Sequence, residues 1–327
     1  MQRFKNILYV VTPGLNSDEA ALARAVILAR NNQARLTVIE IIDEIPANTK
    51  LLDRVLSSKE LQAKVVAAHQ EQLAALVAPW TKEVEIETKI ETGIPFLETI
   101  HEVLQHNRDL VIKTAEGSGF LDRLFCSDDM HLLRKCPCPV WLVKPEAPKA
   151  YRRILAAVDV DDSYPPQELE THRQLNLQIL KMASSLALSE FAELHVVNAW
   201  QAIGESAMRH AFVDAPEEKI RAYLNDVRQT HEQRLNALMD ETINTLGREA
   251  LDFIKPQIHL RKGSPRKEIP AAAEALAVDL VVMGTVARTN IPGFFIGNTA
   301  ETILNRLNCS VLAIKPPGFT TPIASTR

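Results

Sequence analysis

The segment GTVARTNIPGFFIGNT, Gly284 to Thr299, carries the groups best suited to hold an anion, and it follows directly on the apolar run Leu280-Val281-Val282-Met283. Glycines let main-chain N–H groups approach an anion closely, and Gly297 stands where a helix should begin, so that unpaired donors and the helix dipole favour phosphate there. Arg288 offers a charge-assisted contact, Asn298 an amide donor and Thr299 a hydroxyl. No lysine precedes the hydroxyl, so this is not a Walker loop. A carboxylate, Asp159, closes the apolar run Ile154 to Val158 and is the natural partner for a sugar or base. The alternative for the whole stretch is a plain strand-to-helix connection.

Other reactive residue types read as structure. Cys136-Pro-Cys138 has the residues of a metal or thiol site, but Cys138 opens an apolar strand where a small buried residue is expected. Cys126, Asp128, Asp129 and His131 are metal-ligand types without a paired-cysteine or HExxH spacing. His101 and His106 lie five apart, a poor spacing for one helical face. There is no G-x-S-x-G, no GxGxxG and no Ser-His-Asp order, so no catalytic residue and no metal ligand is assigned.

The elements that must position these groups occur twice. Phe4-Lys5-Asn6-Ile7-Leu8 parallels Tyr151 to Leu155, Gly93-Ile94-Pro95 parallels Gly263-Ser264-Pro265, and Asp109-Leu110-Val111-Ile112 parallels Asp279 to Val282. Cys138-Pro139-Val140 with Lys144-Pro145 likewise parallels Cys309-Ser310-Val311 with Lys315-Pro316. A repeat of half the chain implies two domains, 1–146 and 151–317, joined by the proline-rich 144–149, with 318–327 expected as a disordered tail. In the second copy, strands are expected near 152–159, 192–199, 254–262, 279–284 and 310–315, and helices near 174–189, 215–246, 265–277 and 298–308. Strand runs that are apolar on both faces call for helices on both sides. The fold class is therefore α/β, two tandem Rossmann-like domains, each a five-stranded parallel sheet flanked by helices on both faces. In such sheets ligands sit where the strand order reverses, at the carboxyl ends of the strands, which is where Asp159 and Gly284 fall.

A chain of 327 residues, 46% hydrophobic and 24% charged, has room for two cores, and its formal net charge of -4 gives neither a nucleic-acid nor a membrane-surface footprint. The apolar patch Ile7 to Val11 is too short for a signal-peptide core, so a cytoplasmic location is expected. Four cysteines without disulfide spacing fit reduced thiols.

Both copies resemble universal stress protein domains, and the tandem arrangement is similar to the two-domain, E-type branch found in enteric bacteria. The ATP-binding members read Gly, two residues, Gly, nine residues, Gly, then Ser or Thr after the fourth strand, with an Asp ending the first. The second copy matches at Gly284, keeps the nine-residue spacer Arg288 to Ile296, and matches again at Gly297. It departs at Ala287, whose methyl narrows the loop and counts against a triphosphate but not against a nucleotide, and at Asn298, though Thr299 follows at once. The resemblance implies that Asp159 contacts adenosine and that Val196, ending the second strand, lies at the backbone contacts to adenine. It also implies roles in stress, starvation and DNA-damage resistance and in motility or adhesion. The first copy has Thr12 in place of Asp159, a loop Thr114-Ala115-Glu116-Gly117, and Ser127-Asp128-Asp129 at the helix start, where acidic residues repel phosphate. It is expected to bind no nucleotide.

An insertion in the second copy, Val160 to Leu169, is either a lid or side wall beside the crevice or a solvated surface loop. Ile291, Phe294 and Phe295 either pack on the other domain or line a groove for an apolar tail. Three functions stay open: a non-enzymatic stress-response protein that binds an adenine nucleotide or related phosphorylated ligand, a slow ATP hydrolase, and a carrier for an acyl or nucleotide-sugar conjugate. No cofactor is expected to be obligatory; the ligand in view is ATP or ADP with Mg. The apolar last strands, Val140 to Val143 and Val311 to Ile314, need covering, which predicts an internal pseudo-dimer formed through them and leaves room for a homo-oligomer.

Overall fold

Strands that are apolar on both faces can only be stable in the middle of a three-layer stack, and the computed structural model has that arrangement. It describes residues 4–12, 19–47, 57–117, 125–210, 216–285 and 296–324. The first half runs β1 (Asn6–Val11), α1 (Glu19–Asn32), β2 (Arg35–Ile42), α2 (Ser58–Val77), β3 (Ile86–Thr92), α3 (Pro95–His106), β4 (Leu110–Thr114), α4 (Ser127–Lys135) and β5 (Val140–Val143). The second runs β6 (Arg153–Ala157), α5 (Pro166–Glu190), β7 (Glu193–Trp200), α6 (Glu205–His210), α7 (Glu217–Leu246), α8 (Arg248–Ile254), β8 (Gln257–Lys262), α9 (Pro265–Ala275), β9 (Leu280–Gly284), α10 (Asn298–Leu304) and β10 (Ser310–Ile314).

Each half pairs its strands in parallel, and the expected pseudo-dimer is present in its most complete form. β5 and β10 pair antiparallel, Leu142 opposite Val311 and Trp141 opposite Leu312, so the two five-stranded sheets become one ten-stranded sheet of order β3-β2-β1-β4-β5-β10-β9-β6-β7-β8. Both apolar edges are consumed. The two cores, one on each face, run through both halves; one joins Tyr9 and Trp141 to Tyr151 and Leu312, the other Leu142 to Val311. Arg24 of α1 reinforces the junction. It is buried, pairs with Glu190 of α5, donates to the Pro148 carbonyl at 2.6 Å and lies 3.5 Å from the centroid of the Tyr151 ring.

Local differences from the sequence expectation have local causes. α5 begins at Pro166 rather than near 174, because proline at the first helical position needs no N–H and is already set to helical φ. The insertion 160–169 is therefore half loop and half helix. β8 begins at Gln257, since α8 occupies Arg248–Ile254 and Lys255 takes a left-handed φ of 48°. Beyond β10 the Lys315 ammonium lies 4.8 Å from the centroid of the Phe319 ring, and Ile323 packs against the second core. No helix among the described residues is long and apolar enough to cross a membrane.

Candidate functional site

Strand order reverses between β1 and β4 in the first half and between β6 and β9 in the second, so the fold provides two equivalent crevices at the carboxyl ends of these strands. Their chemistry is opposite.

In the second half the crevice is a cavity of about 190 Å³, smaller than the roughly 300–1,000 Å³ of most ligand pockets. Leu175, Ile179, Ile269, Met283 and Ile303 make its apolar wall, and Asp159, Tyr164, His172, Asn176, Thr285 and Thr299 supply polar groups. Asp159 lies two residues beyond β6. Its carboxylate accepts from the Tyr164 hydroxyl at 2.6 Å and from the Asp161 N–H at 3.1 Å, and Asn176 clamps its main chain with two hydrogen bonds of 2.6 and 3.1 Å. Tyr164 in turn stacks on His172, ring centroids 3.9 Å apart. Burial, and after it the Asp159 charge, push the Tyr164 phenol far above its usual range, so it stays a donor. The insertion thus forms a side wall. Asp159, His172 and Asn176 also face a neighbouring cavity of about 260 Å³ between α5 and α7.

Gly284 ends β9 at the cavity, and its lack of a side chain has a packing cause: a Cβ there would stand 2.7 Å from Cδ2 of Leu175. Gly297 caps α10 and gives its N–H to the Thr285 carbonyl at 3.0 Å; the first intrahelical bond comes from Glu301, leaving the amides of Asn298, Thr299 and Ala300 ahead of it. The Thr299 hydroxyl accepts from Arg266 Nε at 3.4 Å, and Asn298 is exposed. Ala287, Arg288, Ile291, Phe294 and Phe295 lie outside the described residues. Val196 requires correction. β7 continues four residues past it to Trp200, Val196 is fully buried in mid-strand, and Ala199 is the β7 residue that reaches the cavity. The run Val196-Val197-Asn198-Ala199-Trp200 stays strand-like to its end, so an amide at 198 is no stop signal.

Sequence reasoning missed Tyr164, His172, Asn176, Leu175, Thr285 and Arg266. Three of them had a signal: Arg266 in the Gly263-Ser264-Pro265 repeat match that puts it at the start of a helix, Thr285 in its place within the Gly284–Thr299 segment, and Tyr164 in its place within the 160–169 insertion.

The first-half crevice is filled by its own charges. Lys113 at the end of β4 is 2% exposed, and its Nζ donates to Asp129 Oδ1 at 2.8 Å and to Glu116 Oε1 at 2.5 Å. The other oxygen of Asp129 accepts from the main-chain N–H of Glu116 at 2.9 Å and of Cys126 at 3.3 Å. An internal carboxylate therefore takes the loop and helix-start donors that a phosphate would use. Thr12, in place of Asp159, turns its hydroxyl to the Thr114 carbonyl at 3.3 Å. Burial draws the Lys113 ammonium down, but Asp129 and Glu116 outweigh it and hold it above its ordinary value. Glu116, Cys126 and Asp129 do bring three ligand-type atoms within 4.8 Å of one another, but the Lys113 ammonium already pairs with the two carboxylates. His131, the remaining ligand-type residue of this stretch, stacks on Phe96 with ring centroids 4.5 Å apart. Cys136 and Cys138 are buried with sulfurs 3.6 Å apart.

A doubly wound sheet repeated in tandem, with a crevice at each reversal of strand order, defines a Rossmann-like α/β protein of two fused units. The model of the universal stress protein family matches residues 3–144 and again 150–315, and the chain belongs to that family. It is similar to the "Universal stress protein E homolog" of Haemophilus influenzae, 30% identical over 323 residues covering 96% of this chain and 98% of the relative. Universal stress protein E of Escherichia coli K12 is 30% identical over 330 residues, 99% of this chain and 98% of the relative. Among solved structures, a functionally unknown protein of Pseudomonas aeruginosa PAO1 superimposes with a TM-score of 0.67 at 27% identity, covering 96% and 93% of the two chains. A universal stress protein from Archaeoglobus fulgidus shares the fold, with a TM-score of 0.59 at 18% identity over 95% and 98%.

Proposed function

We propose that the protein is a non-enzymatic stress-response protein whose second half binds one adenine nucleotide or a related phosphorylated ligand, ATP or ADP with Mg being the first candidates. The observation that carries this reading is the asymmetry of two crevices on one fold: Lys113 and Asp129 fill the first, while the second keeps a cavity with an apolar wall for a base and a carboxylate at its rim for a ribose. Thr299, Asn298 and the amides at the start of α10, with Arg266 beside Thr299, are the donors that support a phosphate contact in this reading. Asp159 is the one carboxylate among the described cavity-lining residues, and Tyr164 and the Asp161 N–H already engage it, which favours binding over hydrolysis.

A second reading, a carrier for a ligand with an apolar tail, draws on the apolar wall of Leu175, Ile179, Ile269, Met283 and Ile303. Mass spectrometry of small molecules released by denaturing the purified protein separates the two. An adenine nucleotide is expected; an acyl-bearing conjugate would replace the first reading with the second. Failure to recover any ligand, together with no binding of ATP or ADP in calorimetry, would overturn both.

A further inference from the structure

Two side chains tie the walls of the second-half crevice to a single helix of the first half. Lys315, one residue past β10, is 5% exposed and donates to the Thr285 hydroxyl at 2.8 Å and to the carbonyls of Leu133 at 2.5 Å and Arg134 at 3.3 Å. Thr285 is one wall of the crevice, and Leu133 and Arg134 belong to the last turn of α4, where carbonyls lack intrahelical partners and a cation is favoured. The Arg134 side chain continues to Glu301 of α10, the helix whose Thr299 and Ala300 form the opposite wall. One helical turn of the first half thus holds both walls.

Among the described residues the pseudo-symmetric connection is not formed. Lys144 stands where Lys315 would, but its Nζ reaches the Asn308 carbonyl at 3.4 Å and the Glu146 carboxylate at 4.0 Å rather than the last turn of α10, and Ala115 replaces the threonine hydroxyl. The link therefore runs one way, from the filled half to the open one.

We propose that the first half is a positioning domain for the second-half crevice: through Lys315 and Arg134, α4 sets the spacing between Thr285 and α10, and with it the affinity of that crevice for its ligand. The geometric part stands by itself; the affinity part rests on the function proposed above. Such coupling works through a contiguous packed element with a defined arrangement, which α4 provides.

Hydrogen–deuterium exchange on the intact chain tests it, comparing the parent protein with Lys315→Met, Arg134→Gln and Thr285→Val. The amides of Thr285, which donates to Ile314, and of Gly297, which donates to Thr285, report the crevice directly. Exchange at 283–285 and 297–304 is expected to rise roughly tenfold while β1 and β2 are unchanged. No change at those amides, or an equal rise throughout β1 to β4, would overturn the proposal. If Lys315→Met fails to fold, the milder Arg134→Gln and Thr285→Val decide. Calorimetry with ADP on the same set is expected to show a several-fold loss of affinity; unaltered affinity in variants with altered exchange would overturn the coupling to ligand. A parent protein that binds no ADP would instead count against the proposed function, leaving the positioning role to be judged by exchange alone.

Discussion

Replacing Asp129 by alanine should be the most damaging single change in the first half that touches no apolar core residue. Asp129 is fully buried, and its loss removes the 2.8 Å partner of an ammonium that is itself 2% exposed, together with the acceptor for two main-chain N–H groups. Breaking a buried ion pair by deleting one partner costs about 3–5 kcal/mol. Glu116, which stays 2.5 Å from the Lys113 ammonium but is partly exposed, offsets some of this, while the orphaned N–H groups add about 1–3 kcal/mol. The two corrections oppose each other, so a loss of about 3–5 kcal/mol is expected, read as a lower urea midpoint at unchanged slope. The double variant Lys113→Met with Asp129→Leu removes both charges and should recover most of that loss, because the pair no longer leaves a bare charge in the core. A loss below about 1 kcal/mol in Asp129→Ala, or a double variant as unstable as the sum of the singles, would refute the reading of this network as a plug that replaces a ligand.

Three further outcomes follow from the same geometry. Burial pulls the folded Lys315 down to about 7, against about 10.4 in an unfolded chain, so the unfolded state binds more protons between these values; stability should rise with pH through that window, by at most about 4–5 kcal/mol, and the difference in urea midpoint between the parent and Lys315→Met should carry the slope. Gly284→Ala should cost about 1–2 kcal/mol in thermal unfolding because its Cβ meets Leu175, and pairing it with Leu175→Ala should remove the clash; equal effects in both backgrounds would show that the glycine has another role. All four cysteines should react slowly with a thiol reagent at pH 8 until the chain unfolds, since burial pushes Cys126 and Cys309 up to about 12 and encloses Cys136 and Cys138; fast labelling of the native protein would contradict this.

The sequence was most legible where one physical requirement acted along a short stretch. Apolar runs such as Ile154 to Val158 demanded cover on both faces, and the exposed edges of Val140–Val143 and Val311–Ile314 demanded each other, which the antiparallel β5–β10 pairing satisfies. Asp159 and Gly284 were placed at the crevice by strand order alone. Where two effects competed, the reading slipped. Pro165-Pro166 suggested a loop although proline also opens helices, and the resemblance put the end of the second strand at Val196 although the apolar pattern already carried that strand on to 199. Gly284 suggested an anion although a leucine from α5 already required it. Lys113 and Lys315, each a charge at the end of an apolar run, did carry a legible signal: a buried ammonium needs oxygen partners. Their partners, Asp129 and the last turn of α4, depend on tertiary placement that no local pattern states.

One ligand site in the second half and none in the first would fix the stoichiometry of nucleotide binding to the intact chain at one. Calorimetric titration of ADP with Mg is predicted to give one site per chain. Asp159→Ala, which removes a charged acceptor, should weaken it at least about tenfold, and Thr12→Ala at the equivalent first-half position should leave it unchanged. Two sites per chain, or a single site that tolerates Asp159→Ala and is lost with Thr12→Ala, would contradict the account.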